Sequence, residues 1–202
     1  MADGATTYVE PVRLRLDPQA GALAGSNTRY EKTVDDLRGV YRDADAFEQL
    51  AAADNGEPLY WVETSNTEGG PGGLITGTSV LQPGRVADEY FMTRGHLHVK
   101  ADRAELYVGL AGHGVMLLET LDGESRAVEV NPGEAVYVPG QWVHRSINVG
   151  DELFVTLFCY ASDAGQNYQI IEDAGGMKQL IVAADDGGWT TRPNPDHSGY
   201  GV

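Results

Sequence analysis

Two histidines one residue apart, a glutamate seven positions further on and a third histidine far downstream constrain this chain more than any other feature: His96, His98, Glu105 and His144. Residues two apart on an extended strand point the same way, so His96 and His98 share a face. Glu105 and Tyr107 share one likewise, opposite Leu106, Val108 and Leu110. A carboxylate and a phenol therefore look into the space the imidazoles look into, which predicts a lined cavity. Three imidazoles and one carboxylate form a mixed nitrogen and oxygen set suited to a divalent first-row metal.

The surrounding punctuation predicts the frame. From Leu59 onward short β-prone runs alternate with turn signals: Leu59 to Glu63, Leu74 to Leu81, Glu89 to Thr93, Ala104 to Leu110, Val115 to Thr120, Arg126 to Val130, Ala135 to Val138, Arg145 to Asn148, Leu153 to Tyr160 and Lys178 to Ala183. Pro83-Gly84, Gly112-His113-Gly114, Asp122-Gly123, Pro132-Gly133 and Gly150-Asp151 mark the turns. Many short strands at close spacing imply a barrel or sandwich, so the fold class is all-β. Upstream, Pro11 to Leu16 reads as a strand or arm, and Thr33 to Asp36 carries a capping pattern for a short helix or turn. Asp43 or Asp45 caps a helix in which Phe47, Leu50 and Ala51 share a face, ending near Asn55-Gly56. Glu68 to Gly73 reads as a flexible loop, and Asp185 to Val202 as an extended or disordered tail.

Charge and composition narrow the partners. The formal net charge of -16 repels nucleic acid and anionic membrane surfaces. It also opposes anionic metabolites, which local donors would have to capture. Met1 to Thr7 has neither a basic n-region nor an apolar h-region, and no run of about 18 apolar residues occurs, so the chain reads as cytoplasmic. The single cysteine, Cys159, lies in an apolar run and reads as buried and inert. His113, in a Gly-His-Gly turn, and His197, in the tail, read as exposed non-ligands, and Arg94 as a solvated rim charge.

In their order, His96, His98, Glu105 and Gly112, then Gly133, Pro139, His144 and Asn148, resemble the two motifs of the cupin superfamily. Two glycines of that pattern are replaced, by Tyr90 and Gln141. Within cupins the chain is similar to the archaeal-type glucose-6-phosphate isomerases, also found in some bacteria. The likeness runs through Phe91 to His98, Lys100 to Val108, Met116 to Leu118, Val136 to Pro139, Trp142 to Arg145, Asn148 to Glu152 and Ala164 to Tyr168, and upstream through Glu10 to Val12 and the Asp35 to Leu50 region. It implies a single cupin double-stranded β-helix barrel over 58–184, with an arm and short helices over 1–57 packed on it and a tail over 185–202. It also implies a homodimer.

The resemblance further implies interconversion of glucose 6-phosphate and fructose 6-phosphate through an enediol. One divalent ion would sit on His96, His98, Glu105 and His144, with iron(II) foremost and manganese, zinc or nickel as alternatives. Glu105 is the family's candidate base, and either its ligation is weak or a hydroxide at the metal moves the proton. Tyr107 would donate to a sugar oxygen. The resemblance assigns the phosphate to Thr78 or Ser79, Thr93, the amide of Gly95 and Tyr160. Where the archaeal pattern has a histidine, this chain has Gln166, which can hydrogen-bond a sugar oxygen but cannot shuttle a proton; ring opening would then use Tyr168 or water. Two other classes fit the same ligands: another metal cupin, such as an iron dioxygenase, and a non-catalytic sugar-binding cupin. The polar residues Tyr107, Tyr160, Gln166 and Tyr168 argue against an aromatic substrate.

Overall fold

Burial along β8 (Glu105–Ala111) alternates as its sequence does: Glu105, Tyr107, Gly109 and Ala111 are buried, while Leu106 faces out. The computed structural model describes residues 8–201, so the stretch Met1 to Thr7 and Val202 lie outside the described residues. In chain order β8 is preceded by β1 (Arg15–Leu16), β2 (Leu23–Ala24), β3 (Thr28–Lys32), β4 (Tyr60–Asn66), β5 (Leu74–Leu81), β6 (Arg85–Val86) and β7 (Glu89–Tyr90). It is followed by β9 (Gly114–Thr120), β10 (Ser125–Val130), β11 (Ala135–Val138), β12 (Trp142–Asn148), β13 (Phe154–Ala161), β14 (Gln179–Ala183) and β15 (Trp189–Pro193). Two α-helices, α1 (Ala44–Ala53) and α2 (Gln169–Asp173), and a short 3-10 helix at Asp35–Leu37, where the capping pattern was read, complete the described residues.

An antiparallel six-stranded sheet, in the order β11-β8-β13-β5-β4-β3, forms one wall. The facing wall is β10-β9-β12, extended by residues 91–98, which pair with β12 through Met92 to Ile147 and His96 to His144. Just before that segment, β7 joins the β15-β14-β7-β6 sheet. Tyr60, Val62, Leu81 and Phe158 from the first wall and Val115, Met116, Val143 and Ile147 from the second belong to one buried cluster. This closed, mostly antiparallel arrangement is the all-β cupin barrel.

The parts outside the barrel are tied to it by buried polar contacts. Asp43 caps α1 by accepting from the Ala46 amide at 2.8 Å, and Phe47 stacks on Tyr41 at 6.0 Å. The Tyr41 hydroxyl accepts the Met92 amide at 3.2 Å, so the N-terminal unit braces the segment that carries His96 and His98. The C-terminal stretch corrects the expectation of a tail. Trp189–Pro193 forms β15 beside β14, and the Tyr200 hydroxyl donates to the fully buried Glu119 at 2.5 Å. Glu119 also accepts the Lys178 and Gln179 amides at 2.8 and 2.9 Å, so among the described residues its carboxyl oxygens are satisfied by donors from this end of the chain and by Ser125. The expected strand over Pro11 to Leu16 shrinks to β1, and β3 and α2 had no counterpart in the sequence reading. Among the described residues no helix is long and apolar enough to cross a membrane.

Two turn glycines separate conformational freedom from space. Gly112 (φ 72°) and Gly133 (φ 87°) both occupy the left-handed region. A Cβ at Gly112 would lie 2.2 Å from the Leu153 carbonyl oxygen, whereas one at Gly133 would meet nothing within 4 Å. Gly133→Ala is therefore expected to lower stability by about 1 to 2 kcal/mol, the cost of the conformation alone. Gly112→Ala should cost distinctly more, because the β13 approach must also shift. Urea unfolding of the two variants side by side measures the difference.

Candidate metal centre and substrate cavity

Local hydrogen bonding sets each donor in place. The His96 amide donates to the His144 carbonyl and the His144 amide to the His96 carbonyl, both at 3.0 Å, so the two residues face each other across a two-bond antiparallel pair. Their rings lie 4.4 Å apart. From Leu97 on, the chain turns to a different neighbour: Leu97, Val99 and Lys100 donate to Asn167, Gly165 and Ala164. That exchange fixes His98 and brings Gln166 and Tyr168 to the same place. Glu105 enters from the first residue of β8, paired across to Tyr160 of β13.

Glu105 Oε2 lies 3.1 Å from His144 Nε2, 3.3 Å from His98 Nε2 and 3.8 Å from His96 Nε2. One donor atom from each of the four residues lies within 4.8 Å of every other, and all four side chains are buried. The far nitrogens are already used: His98 Nδ1 meets the Arg103 carbonyl at 2.9 Å and His144 Nδ1 the Trp142 carbonyl at 3.0 Å. Each such bond places a proton on Nδ1 and turns Nε2 inward, where it can give its lone pair to a metal or, without one, carry a proton toward Glu105. Nε2 of His96 and of His98 has no hydrogen-bond partner although both are buried. Buried polar atoms without partners are rare, and a cation shared by three Nε2 atoms and a carboxylate is what would satisfy them. The residues present therefore fit a divalent metal.

The electrostatics agree with the geometry. Burial alone would raise the Glu105 pKa, but the imidazoles of His144 and His98 outweigh it and hold the group down to about 2, so it is a carboxylate at neutral pH. Burial, and then the neighbouring His144, push His96 well below its ordinary value, keeping that imidazole neutral. Burial opposes charging of His98 too, yet its contacts with Glu105 and the Arg103 carbonyl win and its pKa is raised. Burial lifts the phenols of Tyr107, Tyr160 and Tyr168, with the Glu105 charge adding to each, so all three stay protonated donors.

The cluster lies at the base of a narrow cavity, about 530 Å³ in all once the open space at its mouth is counted. Ser79, Thr93, Gly95, Tyr107, Tyr160, Gln166 and Tyr168 all border it together with His96, Glu105 and His144. His98 lies alongside, its ring 5.4 Å from that of Tyr160. Thr78 does not reach the cavity. It neighbours Ser79 on β5 and so points to the opposite face, where its hydroxyl donates to the Gly21 carbonyl at 2.5 Å. Packing requires the glycine at 95: a Cβ there would meet the His144 carbonyl oxygen and the Arg145 Cβ at 2.8 Å, so the missing side chain admits β12. Gln166 accepts the hydroxyl of Tyr168.

Three features escaped the sequence reading. Tyr30 and Tyr60, from β3 and β4, border the cavity with ring centroids 6.3 Å apart. The alternation of Tyr60, Val62 and Thr64 was a usable signal, since all three border the cavity, but Tyr30 sits in a run too polar to read as a strand. Arg94 is no free rim charge. Its guanidinium stacks 5.1 Å over the Tyr168 ring and pairs with Glu172 of α2. Cys159 is half-buried and meets the Thr76 hydroxyl at 3.6 Å, and neither His113 nor His197 joins the cluster.

A barrel that turns three histidines and a glutamate inward defines the class as a cupin with a candidate metal centre. Residues 31–198 match the family model described as Glucose-6-phosphate isomerase (GPI), and the chain belongs to that family. It is 43% identical over 184 residues to a glucose-6-phosphate isomerase of Sinorhizobium medicae, covering 91% of this chain and 86% of the relative. It is 40% identical over 189 residues to that of Thermococcus litoralis, covering 93% and 97%. A solved oxalate oxidase overlays 56% of each chain at a TM-score of 0.47 and 16% identity.

Removing one nitrogen donor tests the centre. His144→Ala is expected to lower bound metal after dialysis against iron, manganese or zinc, read by atomic emission; full occupancy in that variant would take His144 out of the centre. A second test uses acid. The folded Glu105 pKa, about 2, lies below the ordinary 4.5, so between those values the unfolded chain binds a proton that the folded one does not. Stability must therefore fall as pH falls through that window. Metal-free wild type should lose more stability than Glu105→Gln between about pH 5 and about pH 3 in urea unfolding.

Proposed function

We propose that the chain interconverts glucose 6-phosphate and fructose 6-phosphate, moving a proton between C2 and C1 of the open-chain sugar through an enediol. The observation that carries this reading is that Glu105 is the only carboxylate among the residues bordering the cavity. An aldose-ketose exchange needs one group that takes a proton from one carbon and returns it to the next. Glu105 is ionised and buried at the base of the cavity, and it can take a proton once the contacts with His98 and His144 that hold its pKa down are loosened. Family membership supports the substrate pair.

The other side chains supply orientation. The phenols of Tyr107, Tyr160 and Tyr168 are donors at neutral pH and suit sugar hydroxyls. Ser79, Thr93 and the Gly95 amide provide neutral donors for the phosphate oxygens. Gln166 holds the Tyr168 hydroxyl and stays uncharged, so the proton that opens the ring comes from a phenol or from water. His96, His98, Glu105 and His144 would hold one divalent ion, iron(II) foremost, with manganese, zinc and nickel as alternatives; bound there it would polarise the sugar carbonyl and offset charge on the enediolate. We read the chain as a cytoplasmic homodimer. The edge of β3, at the end of the six-stranded sheet, supports pairing because no strand covers it among the described residues.

Glu105→Gln preserves size while removing charge and basicity. It is expected to lower turnover of fructose 6-phosphate by on the order of 10²-fold or more in a coupled assay at saturating metal. Undiminished turnover at saturating metal would assign the proton transfer to a different group and leave Glu105 a ligand only.

A further inference from the structure

A chain of net charge -16 has to receive a phosphate dianion in a cavity whose floor already holds a carboxylate. The hydroxyls and amide described above are neutral. Among the residues bordering the cavity only Arg94 and Arg145 are cationic. Arg145 follows His144 on β12, so its side chain leaves the opposite face of the strand. There its guanidinium is held by Met92 Sδ at 2.7 Å and the Arg94 carbonyl at 2.8 Å. Arg94 is the cation left to meet an anion at the mouth.

We propose that Arg94 selects the phosphorylated sugar by exchanging partners: its guanidinium leaves Glu172 and takes the phosphate as the substrate enters. The proposal rests on the phosphosugar reading above. Three observations carry it. The Glu172 side chain is 51% exposed and that of Arg94 30%, so their ion pair is solvated and weak, and Glu172 returns to water when released. A phosphate dianion offers two negative charges and three acceptor oxygens to a guanidinium fork, a stronger partner than one solvated carboxylate. The fork is also aimed in advance: Tyr168 lies beneath its plane, and Arg145 pins the Arg94 backbone between Thr93 and Gly95, two residues that border the cavity. Glu172, on α2, thus acts as an internal stand-in for the substrate anion.

The test uses metal-loaded protein and two readouts, KM for fructose 6-phosphate and the dissociation constant of inorganic phosphate by calorimetry. Arg94→Met should weaken both by about tenfold or more, with the loss falling on KM rather than kcat. Arg94→Lys should recover part of it, since charge returns without the fork. Glu172→Gln, at an exposed position, should tighten both severalfold, and should do nothing when Arg94 is already Met, as a double-mutant cycle requires of a shared interaction. Unchanged affinities in Glu172→Gln, or a Glu172 effect that persists without Arg94, overturn the proposal. If the wild type fails to isomerise the sugar yet binds phosphate with these dependences, the assignment of Arg94 stands and the isomerase reading falls.

Discussion

Burying the Glu105 carboxylate among three imidazoles is the constraint on which the rest of the structure depends. An ion taken out of water is costly unless charge-assisted donors or a metal replace its hydration, and Glu105 is 3% exposed. Its compensation comes from two other stretches of chain, the 91–98 segment and β12, which must arrive with their Nε2 atoms turned inward. That orientation depends in turn on the carbonyls of Trp142 and Arg103, each two to five residues from the ring it anchors. The backbone pair between His96 and His144 then does two jobs, closing the second wall of the barrel and setting two ligands side by side.

The same dependence reaches the ends of the chain. Tyr41 braces the Met92 amide from the N-terminal side. On the other side, Asn194 and His197 donate to carbonyls of the Gly175 to Met177 turn that follows α2, and the Tyr200 hydroxyl ends on Glu119 in the strand beside β12. A site made by parts so distant in sequence is held by contacts of high sequence separation. The ligand segments are thus braced from both flanks by Tyr41 and Tyr200, neither of which borders the cavity.

What the sequence made legible follows from periodicity. The strand at Leu74–Leu81 and that at Ala135–Val138 were readable to the residue because each is bounded by glycine or proline punctuation, and the α1 cap could be narrowed to Asp43 or Asp45, of which the structure uses Asp43, because the hydrophobic spacing behind it is helical. The four donors were readable because their chemistry is unusual at that spacing. Three things were not. The pairing partners of the 91–98 segment change from β12 to 164–167 within two residues, which no local period announces. Thr78 and Ser79 differ only in parity, and register decides which one faces the cavity. The last strand, Trp189–Pro193, has four exposed positions in five and so carries no apolar signal; its order comes from β14 beside it and from the buried Tyr200 beyond.

Gln166 shows how one substitution changes what the site can do without changing its shape. Its backbone neighbours, Gly165 and Asn167, keep the hydrogen bonds that hold the 97–100 stretch, so the architecture makes no demand on the side chain at 166. Its amide accepts the Tyr168 hydroxyl and thereby fixes the direction of a phenol that lies 5.8 Å from the His96 ring and beneath Arg94. An imidazole in that place would titrate near neutral pH and could give or take a proton, whereas the amide holds one hydrogen-bonding pattern throughout. With Gln166 neutral and three phenols protonated, Glu105 is the ionised group that the proposed proton transfer would use. On this reading the chain keeps the family's carbon-to-carbon transfer while opening the sugar ring without an imidazole at this position.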